Sequence, residues 1–390
     1  MTSCLYAHVP SADRPNVLIS RDSMAPGRFY VRLLSQSLRY GLPAARRWGW
    51  IRTMVALSPW PTHALARTLS RWPARPRSDL DELLELTATS WTRLADATAL
   101  PPLPSRLSAL ALQRSSALTV FVFGADSQPL LVLKVPAPGD ARSEQEARIL
   151  ERAAPAALAP VYLGRVGDAY AQSVLAGEPL RLEPLSAKGA RDLAWSPALE
   201  DLAIGLTRLA SVTRANELPS GLEEAVQRCL EDPELSIEAR SAVGDAWRVL
   251  EQTPASVLLH GDTSAQNCLF QGRKLSGLVD WELAGERGTP GFDSLNAWLA
   301  YLEHRIGLKR WSQGEVLAAF SHAWFDSPFG RAAHDAVAAA VAAGADANLV
   351  SQTEILFFAR RLGRRLLRPD GYPTGSTTAR AMLELVCARY

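Results

Sequence analysis

Hydrophobic residues recur along the chain with two different periods, and the change of period divides the sequence. From residue 107 the pattern favours strands, with apolar runs at 107–115, 118–125 and 129–136 that short turns separate. Two more strands are predicted at 161–165 and 169–175. These runs are rich in Leu, Val and Phe, so they indicate an antiparallel sheet.

Apolar residues spaced three and four apart predict helices before and after these strands in the sequence. One helix is predicted before it, at 79–97, and one after the third strand, at 140–154. The first 27 residues contain Pro10, Pro15 and Pro26 and are predicted to be irregular. Further helices are predicted at 28–41, 197–213, 220–231, 236–251, 294–303, 312–325, 331–344, 348–368 and 376–389. The sequence therefore predicts an α+β protein whose C-terminal half is mainly helical.

Polar residues stand beside short apolar strands in the stretch from Leu258 to Glu282. The polar elements are His260-Gly261-Asp262, then Asn267, then Asp280-Trp281-Glu282. Two carboxylates and one carboxamide thus fall within nineteen residues. Strand ends hold side chains rigidly, as a reaction centre requires.

This stretch resembles the catalytic core of the aminoglycoside phosphotransferase and choline kinase group, which are small-molecule kinases. The family pattern is H-G-D, four residues, N, and then an apolar-D-W/F-E element. The resemblance implies a two-lobed protein-kinase-like fold with an antiparallel-sheet N-lobe and a mainly helical C-lobe. The expected division is a basic, Trp/Arg-rich helical extension at 1–78, a helix and linker at 79–104, the N-lobe at 105–176 and the C-lobe at 177–390.

The resemblance also implies a role for each matching residue. Asp262 would accept the proton of an acceptor hydroxyl, and Asn267 and Asp280 would hold Mg²⁺ beside ATP. His260 and Asp293 would support the loop rather than react. The implied activity is ATP-dependent phosphorylation of a hydroxyl group on a small molecule, such as a sugar, an amino alcohol or an antibiotic-like compound.

Lys134 lies alone within an apolar strand, where a lysine is costly unless it meets an anion. By the resemblance it is the third-strand lysine that contacts the ATP phosphates. The family also needs a glutamate on the next helix to hold this lysine. Glu146 is the choice because the apolar residues that follow set the inward face, and Glu144 lies about 200° around the helix.

The loop between the first two predicted strands departs from the family pattern. Residues 114–117 read Arg-Ser-Ser-Ala and contain no glycine. Ser115 and Ser116 are the candidates for contacts with phosphate through hydroxyl and backbone N–H groups. The missing glycine favours, weakly, an alternative function: a nucleotide-binding pseudokinase that regulates a partner through its basic extension.

Charge is unevenly distributed although the net charge is only +2. Residues 1–78 contain twelve Arg and two Asp, a charge of +10, and residues 331–390 carry +3, which leaves −11 for the rest. The basic segment either packs on the acidic body or meets an anionic partner. Interleaved Arg and Trp at 28–61 fit a packed extension, a membrane surface or a protein partner, and no nucleic-acid motif is present.

Two further patterns bear on location and on the acceptor. Four widely spaced cysteines, the absence of a signal-peptide pattern and the absence of an apolar run of about 18 residues predict a cytoplasmic protein, soluble or peripheral at the membrane. Five arginines near the C-terminus argue mildly against a polycationic acceptor, or else they neutralise the acidic body. These are Arg360, Arg361, Arg364, Arg365 and Arg368.

The H-G-D triplet and the short 280–293 interval disfavour a protein kinase.

Overall fold

The chain divides into two compact units in the computed structural model, which describes the residues from 78 onward with short gaps and two short segments before them. The described ranges are 4–7, 16–20, 78–98, 100–104, 107–113, 117–123, 129–136, 142–180, 197–306, 313–366 and 373–390. The first unit comprises Met1–Arg148 and Pro160–Val174, and the second Ile149–Ala159 and Leu175–Tyr390. Ser115, Ser116 and the 28–61 segment lie outside the described residues, and the predicted domain boundaries stay predictions.

An antiparallel sheet of seven strands, in the order β1-β2-β3-β4-β5-β7-β6, forms the first unit. The strands are β1 (Cys4–Ala7), β2 (Asn16–Ser20), β3 (Ser108–Gln113), β4 (Ala117–Phe123), β5 (Pro129–Pro136), β6 (Tyr162–Val166) and β7 (Ala169–Ser173). The irregular backbone predicted over residues 1–27 therefore contains two strands. Asn16 pairs with Gln113 and Ile19 with Leu110, so β2 depends on a long-range partner that a local pattern does not reveal.

Two helices cover one face of this sheet, α1 (Ser78–Thr89) and α2 (Trp91–Asp96). The single helix predicted at 79–97 is thus interrupted at Ser90. Trp91 and Leu94 are buried in one cluster with alternate residues of β4 and β5, such as Val120 and Leu131. The Trp91 ring also donates a hydrogen bond from Nε1 to the carbonyl of Pro101 at 3.0 Å. This face of the sheet is the hydrophobic core of the first unit.

Helices dominate the second unit. The described helices that follow α2 are α3 (Arg142–Ala153), whose last turn belongs with the second unit, α4 (Pro197–Thr213), α5 (Leu222–Leu230), α6 (Ile237–Gln252), α7 (Phe292–Ile306), α8 (Gln313–Ser321), α9 (Pro328–Gly344), α10 (Val350–Leu366) and α11 (Pro373–Cys387). The helix predicted at 312–325 ends early, in a π-helical turn at His322–Asp326. None of the helices among the described residues is long and apolar enough to cross a membrane.

Two small sheets lie among these helices. One has the order β11-β10-β8, with strands at Lys274–Leu278, Cys268–Gln271 and Glu178–Pro179. The other pairs β12 (Gly285–Gly288) with β9 (Val257–Leu259) in antiparallel fashion. Both units thus combine helices with antiparallel sheets, which confirms the predicted α+β class.

Candidate active site

The three-residue strand β9 delivers the H-G-D triplet from a fully buried position. All three of its residues, Val257, Leu258 and Leu259, are buried. The backbone N–H of Leu258 donates to Oγ1 of Thr213 on α4 at 3.0 Å. An apolar strand anchored in this way fixes where the loop from 260 to 267 begins.

Asp293, in the first turn of α7, binds the start of this loop. Its Oδ2 accepts the backbone N–H of His260 at 2.6 Å, and its Oδ1 accepts that of Gly261 at 3.0 Å. Its own backbone carbonyl accepts the hydroxyl of Thr263 at 2.7 Å. One residue therefore holds the loop through three hydrogen bonds that span 30 or more positions of sequence.

The charge of Asp293 is strongly affected by its surroundings, since the residue is only 6% exposed. Burial raises the pKa of this carboxyl, because the interior disfavours the charged form. His260, the two amide hydrogen bonds and the Arg360 guanidinium act in the opposite direction.

His260 is fully buried and bonded at both ring nitrogens. Its Nδ1 accepts the backbone N–H of Asp262 at 3.3 Å, and its Nε2 lies 2.9 Å from the carbonyl oxygen of Val279. The ring also meets Trp281 edge-on, at 4.6 Å between centroids. Contacts at both nitrogens and on the ring edge hold the imidazole in one orientation, so this geometry suits a support rather than an acid or base.

Gly261 allows the loop to pass close to the 3₁₀ turn Trp281–Leu283, which follows Asp280. Its φ of +84° lies in the left-handed region, and an added Cβ would lie 2.2 Å from the carbonyl oxygen of Leu283. A side chain at this position would meet both a backbone penalty and a clash.

Asp262 and Asn267 are joined directly. The amide nitrogen Nδ2 of Asn267 donates to Oδ2 of Asp262 at 2.8 Å and to its backbone carbonyl at 3.1 Å. Oδ1 of the half-buried Asp262 accepts no hydrogen bond from the described part of the chain. This contact orients the carboxylate and leaves one of its oxygens for an incoming donor.

Asp280 lies next to Asn267, since the backbone N–H of Val279 donates to the carbonyl of Asn267 at 2.9 Å. Its backbone is left-handed, with φ of 70° and ψ of 60°, a conformation that costs energy in a residue with a side chain. Because Nδ2 of Asn267 faces Asp262, the amide oxygen is the atom left for a cation. One carboxylate and one amide oxygen are ligands that Mg²⁺ takes together with water, so these residues fit that ion.

No group of three or more His, Cys, Asp or Glu side chains suited to a metal occurs among the residues that the structure describes. A site of one Asp and one Asn falls below that number. The neighbouring Cys268 is fully buried, and burial, then Asp262 and Asp293, raise the pKa of its thiol. It stays protonated and is not a nucleophile.

Lys134 and Glu146 belong to the first unit. Lys134 lies on β5 opposite Thr119 and Tyr170, on the face of the sheet that α1 and α2 do not cover. Glu146 is buried, whereas Glu144 is exposed and pairs with Arg165 at 2.9 Å. Within the described residues, Lys134 and Glu146 form no ion pair with each other, so the pairing stays a prediction.

The arginines of α10 are largely occupied within the protein. Arg361 pairs with Glu303, Arg365 donates to the carbonyl of Gly375, and the Arg360 guanidinium lies 5.4 Å from the centroid of the Phe292 ring. Arg368 lies outside the described residues. Their number therefore says little about the charge of an acceptor.

Sequence reasoning missed two contributors to the site. The hydroxyl of Thr263 donates to the carbonyl of Asp293 and accepts a hydrogen bond from Nδ2 of Asn296 at 3.2 Å. Nothing in the local sequence pattern marks Thr263 for this role. Arg360 stood out only as one of several arginines, although it affects the pKa of Asp293.

A sequence model of the phosphotransferase enzyme family APH matches residues 106–337. This covers more than half of the chain and includes every residue of the loop from 260 to 267, Asp280 and Asp293. The chain belongs to this family, which confirms the resemblance seen in the sequence. No curated protein matches the chain.

Several solved structures are similar to the chain at low identity. A choline/ethanolamine kinase family protein from Mesorhizobium loti is 16% identical, with 77% of this chain and 94% of that chain covered and a TM-score of 0.38. A putative aminoglycoside phosphotransferase from Ralstonia eutropha is 12% identical, with 78% and 97% covered and a TM-score of 0.44. A choline kinase from Cryptosporidium parvum is 12% identical, with 77% and 96% covered and a TM-score of 0.43.

Proposed function

We propose that this phosphotransferase moves the γ-phosphoryl group of ATP to a hydroxyl group of a small molecule, with Mg²⁺. The observation that carries the proposal is the contact between Asp262 and Asn267. It orients the Asp262 carboxylate, leaves its Oδ1 available, and engages the amide nitrogen of Asn267, so that the amide oxygen is the atom left for a cation. A base and one magnesium ligand in this loop, with a second ligand at Asp280, are the parts that this reaction needs.

Asp262 accepts the proton of the acceptor hydroxyl and aligns that oxygen. The oxygen forms a bond to the γ-phosphorus, the bond from phosphorus to the bridging oxygen breaks, and ADP leaves. Asn267 and Asp280 hold the ion, and Mg²⁺ supplies neutralisation of phosphate charge when bound. Asp293 keeps the loop in place throughout, because three of its oxygens bind the loop.

The N-lobe is proposed to contribute its own contacts to the nucleotide. Lys134 neutralises charge on the α- and β-phosphates, Glu146 holds the lysine, and Ser115 and Ser116 offer donors to phosphate. The sheet face that bears Lys134 supports this assignment, because the other face is filled by α1 and α2.

The test is ADP release from Mg-ATP by the full chain in the presence of sugars, amino alcohols, aminoglycosides and nucleosides. We expect one of these classes to stimulate turnover. Asp262→Asn should lower kcat by about 100-fold or more, the range for a general base. Asp245→Asn, which removes an exposed carboxylate from α6, is the matched control and should leave kcat unchanged.

Two results would argue against the proposal. Absence of stimulated turnover together with unmeasurable ATP binding would remove the kinase function. ATP binding without turnover with any acceptor would favour the pseudokinase alternative.

A further inference from the structure

Arg360 is a cation in an unusual position. It lies on α10 and is half-buried, and within the described residues it makes no hydrogen bond or ion pair. Its guanidinium faces the ring of Phe292 at 5.4 Å from the centroid. A charge withdrawn from water without such partners is costly unless another charge compensates it.

The compensating charge belongs to Asp293, the residue that follows Phe292 in the sequence. Phe292 and Asp293 are the first two residues of α7, and Asp293 is the buried carboxylate that binds the loop. Phe292 also packs edge-on against Phe357 of α10, with 5.4 Å between ring centroids. These contacts fix α10 against the first turn of α7, and the Arg360 guanidinium with it.

The two groups influence each other's proton affinity in opposite directions. Arg360 opposes the effect of burial on the pKa of Asp293. Burial, and then the charge of Arg364, lower the pKa of Arg360 to about 10, and Asp293 acts against this decrease. The other titratable groups facing Asp293 are His260, which lowers the pKa of Asp293 more than Arg360 does, and the protonated thiol of Cys268.

We infer that Arg360 is a positioning residue for phosphoryl transfer: its guanidinium, held over the ring of Phe292 beside Asp293, favours the ionised form of Asp293, which holds the backbone amides of His260 and Gly261. An ionised carboxylate accepts stronger hydrogen bonds from N–H groups than a neutral one does. Only the link to phosphoryl transfer rests on the proposed function, because Asp293 holds the loop without substrate.

The direction of the pKa change follows from the fact that Asp293 is an acid and Arg360 a cation. Without Arg360 the pKa of Asp293 rises further, so that the carboxyl becomes neutral at a higher pH. Each unit of increase makes the neutral form about tenfold more populated at a given pH above the pKa. The loop should then loosen at a pH where the unchanged protein still holds it.

Backbone hydrogen exchange of His260 and Gly261 in the full chain, measured from pH 5 to 8, tests the inference without ATP or an acceptor. In Arg360→Met the pH at which these amides lose protection should rise, so that their exchange on the acid side is faster than in the unchanged protein. Arg360→Lys should restore the original midpoint. Arg364→Met, which removes an exposed charge one turn along the same helix, should leave it unchanged.

Asp293→Asn provides the decisive background. It should abolish the pH midpoint, and adding Arg360→Met should then produce no further change in loop exchange. If Arg360→Met fails to fold, Arg360→Gln takes its place, since its terminal amide is polar but carries no charge.

Three outcomes would overturn the inference. The first is an unchanged pH midpoint in a folded Arg360 variant. The second is equally faster exchange of the amides in α6, which would indicate general loosening of the fold. The third is an effect of Arg360→Met on loop exchange that persists in the Asp293→Asn background. Failure of ATP turnover in all proteins would reject the proposed function but would leave these results interpretable, because exchange needs no reaction.

Discussion

Gly261 decides how closely the loop from 260 to 267 approaches the 3₁₀ turn Trp281–Leu283. Gly261→Ala adds a Cβ at φ +84°, 2.2 Å from the carbonyl of Leu283. The backbone strain alone is about 1–3 kcal/mol, and the clash must displace the loop. We expect a loss of stability above 2 kcal/mol by urea unfolding, together with reduced activity.

Gly272→Ala is the matched control for that change. Gly272 also has a positive φ, +65°, but nothing lies within 4 Å of its added Cβ. It should cost only about 1 kcal/mol, which is the conformational part of the penalty. Equal losses for both variants would show that the close approach at Gly261 is unimportant.

Glu354 is a fully buried carboxylate on which three side chains converge. It accepts hydrogen bonds from Trp324 Nε1 at 2.6 Å and from the Tyr390 hydroxyl at 2.7 Å, and His334 Nε2 lies 3.4 Å away. Burial raises the pKa of Glu354, but His334, Trp324 and Tyr390 together bring it below the usual value.

A depressed pKa fixes the sign of the pH dependence. The ionised form stabilises the fold above the unfolded-state pKa, near 4.5, and this contribution is lost as pH falls through the lower folded-state pKa. Glu354→Gln should therefore cost about 2–4 kcal/mol at pH 7, and the difference from the unchanged protein should shrink below pH 4.5. Urea unfolding at several pH values measures this, and a difference independent of pH would contradict it.

Among the elements, the pair α1 and α2 contributes to the hydrophobic core on one face of the sheet. Trp91 is 4% exposed and packs with the sheet residues of the first unit. Trp91→Ala should lower the free energy of unfolding by about 3–5 kcal/mol, because it leaves a large cavity. Leu86→Ala, at a position that is 39% exposed, should cost much less. Similar small costs for both would mean that α2 does not stabilise the sheet.

The strands between 107 and 175 were predictable because their signal is local. Each apolar run is bounded by turn residues, and the predicted β5 coincides with Pro129–Pro136. The interruption at Ser90 and the π-helical turn at His322–Asp326 were not predictable, because packing against other segments rather than local spacing decides them. Strand β2 was missed for the same reason.

At the scale of the whole molecule, ligand binding should appear as added stability. Anything that binds only the folded chain stabilises it by an amount that grows with its concentration, about 2.7 kcal/mol at 100 times Kd. We therefore expect Mg-ADP to raise the Tm of the full chain. Asp280→Asn should reduce the part of the increase that depends on Mg²⁺, while Asp245→Asn should not. A Tm that is unaffected by Mg-ADP would count against nucleotide binding.

The sequence alone determined which chemical groups form the candidate site. Asp262, Asn267 and Asp280 lie within nineteen residues, and so their type, order and strand-end positions are local properties. The tertiary structure decided how that loop is held. Asp293 and Arg360 are separated by 67 positions, and only the packing of α10 against the first turn of α7 brings their charges together. Long-range packing of this kind leaves no periodic signal in the chain, because it depends on where two distant helices meet.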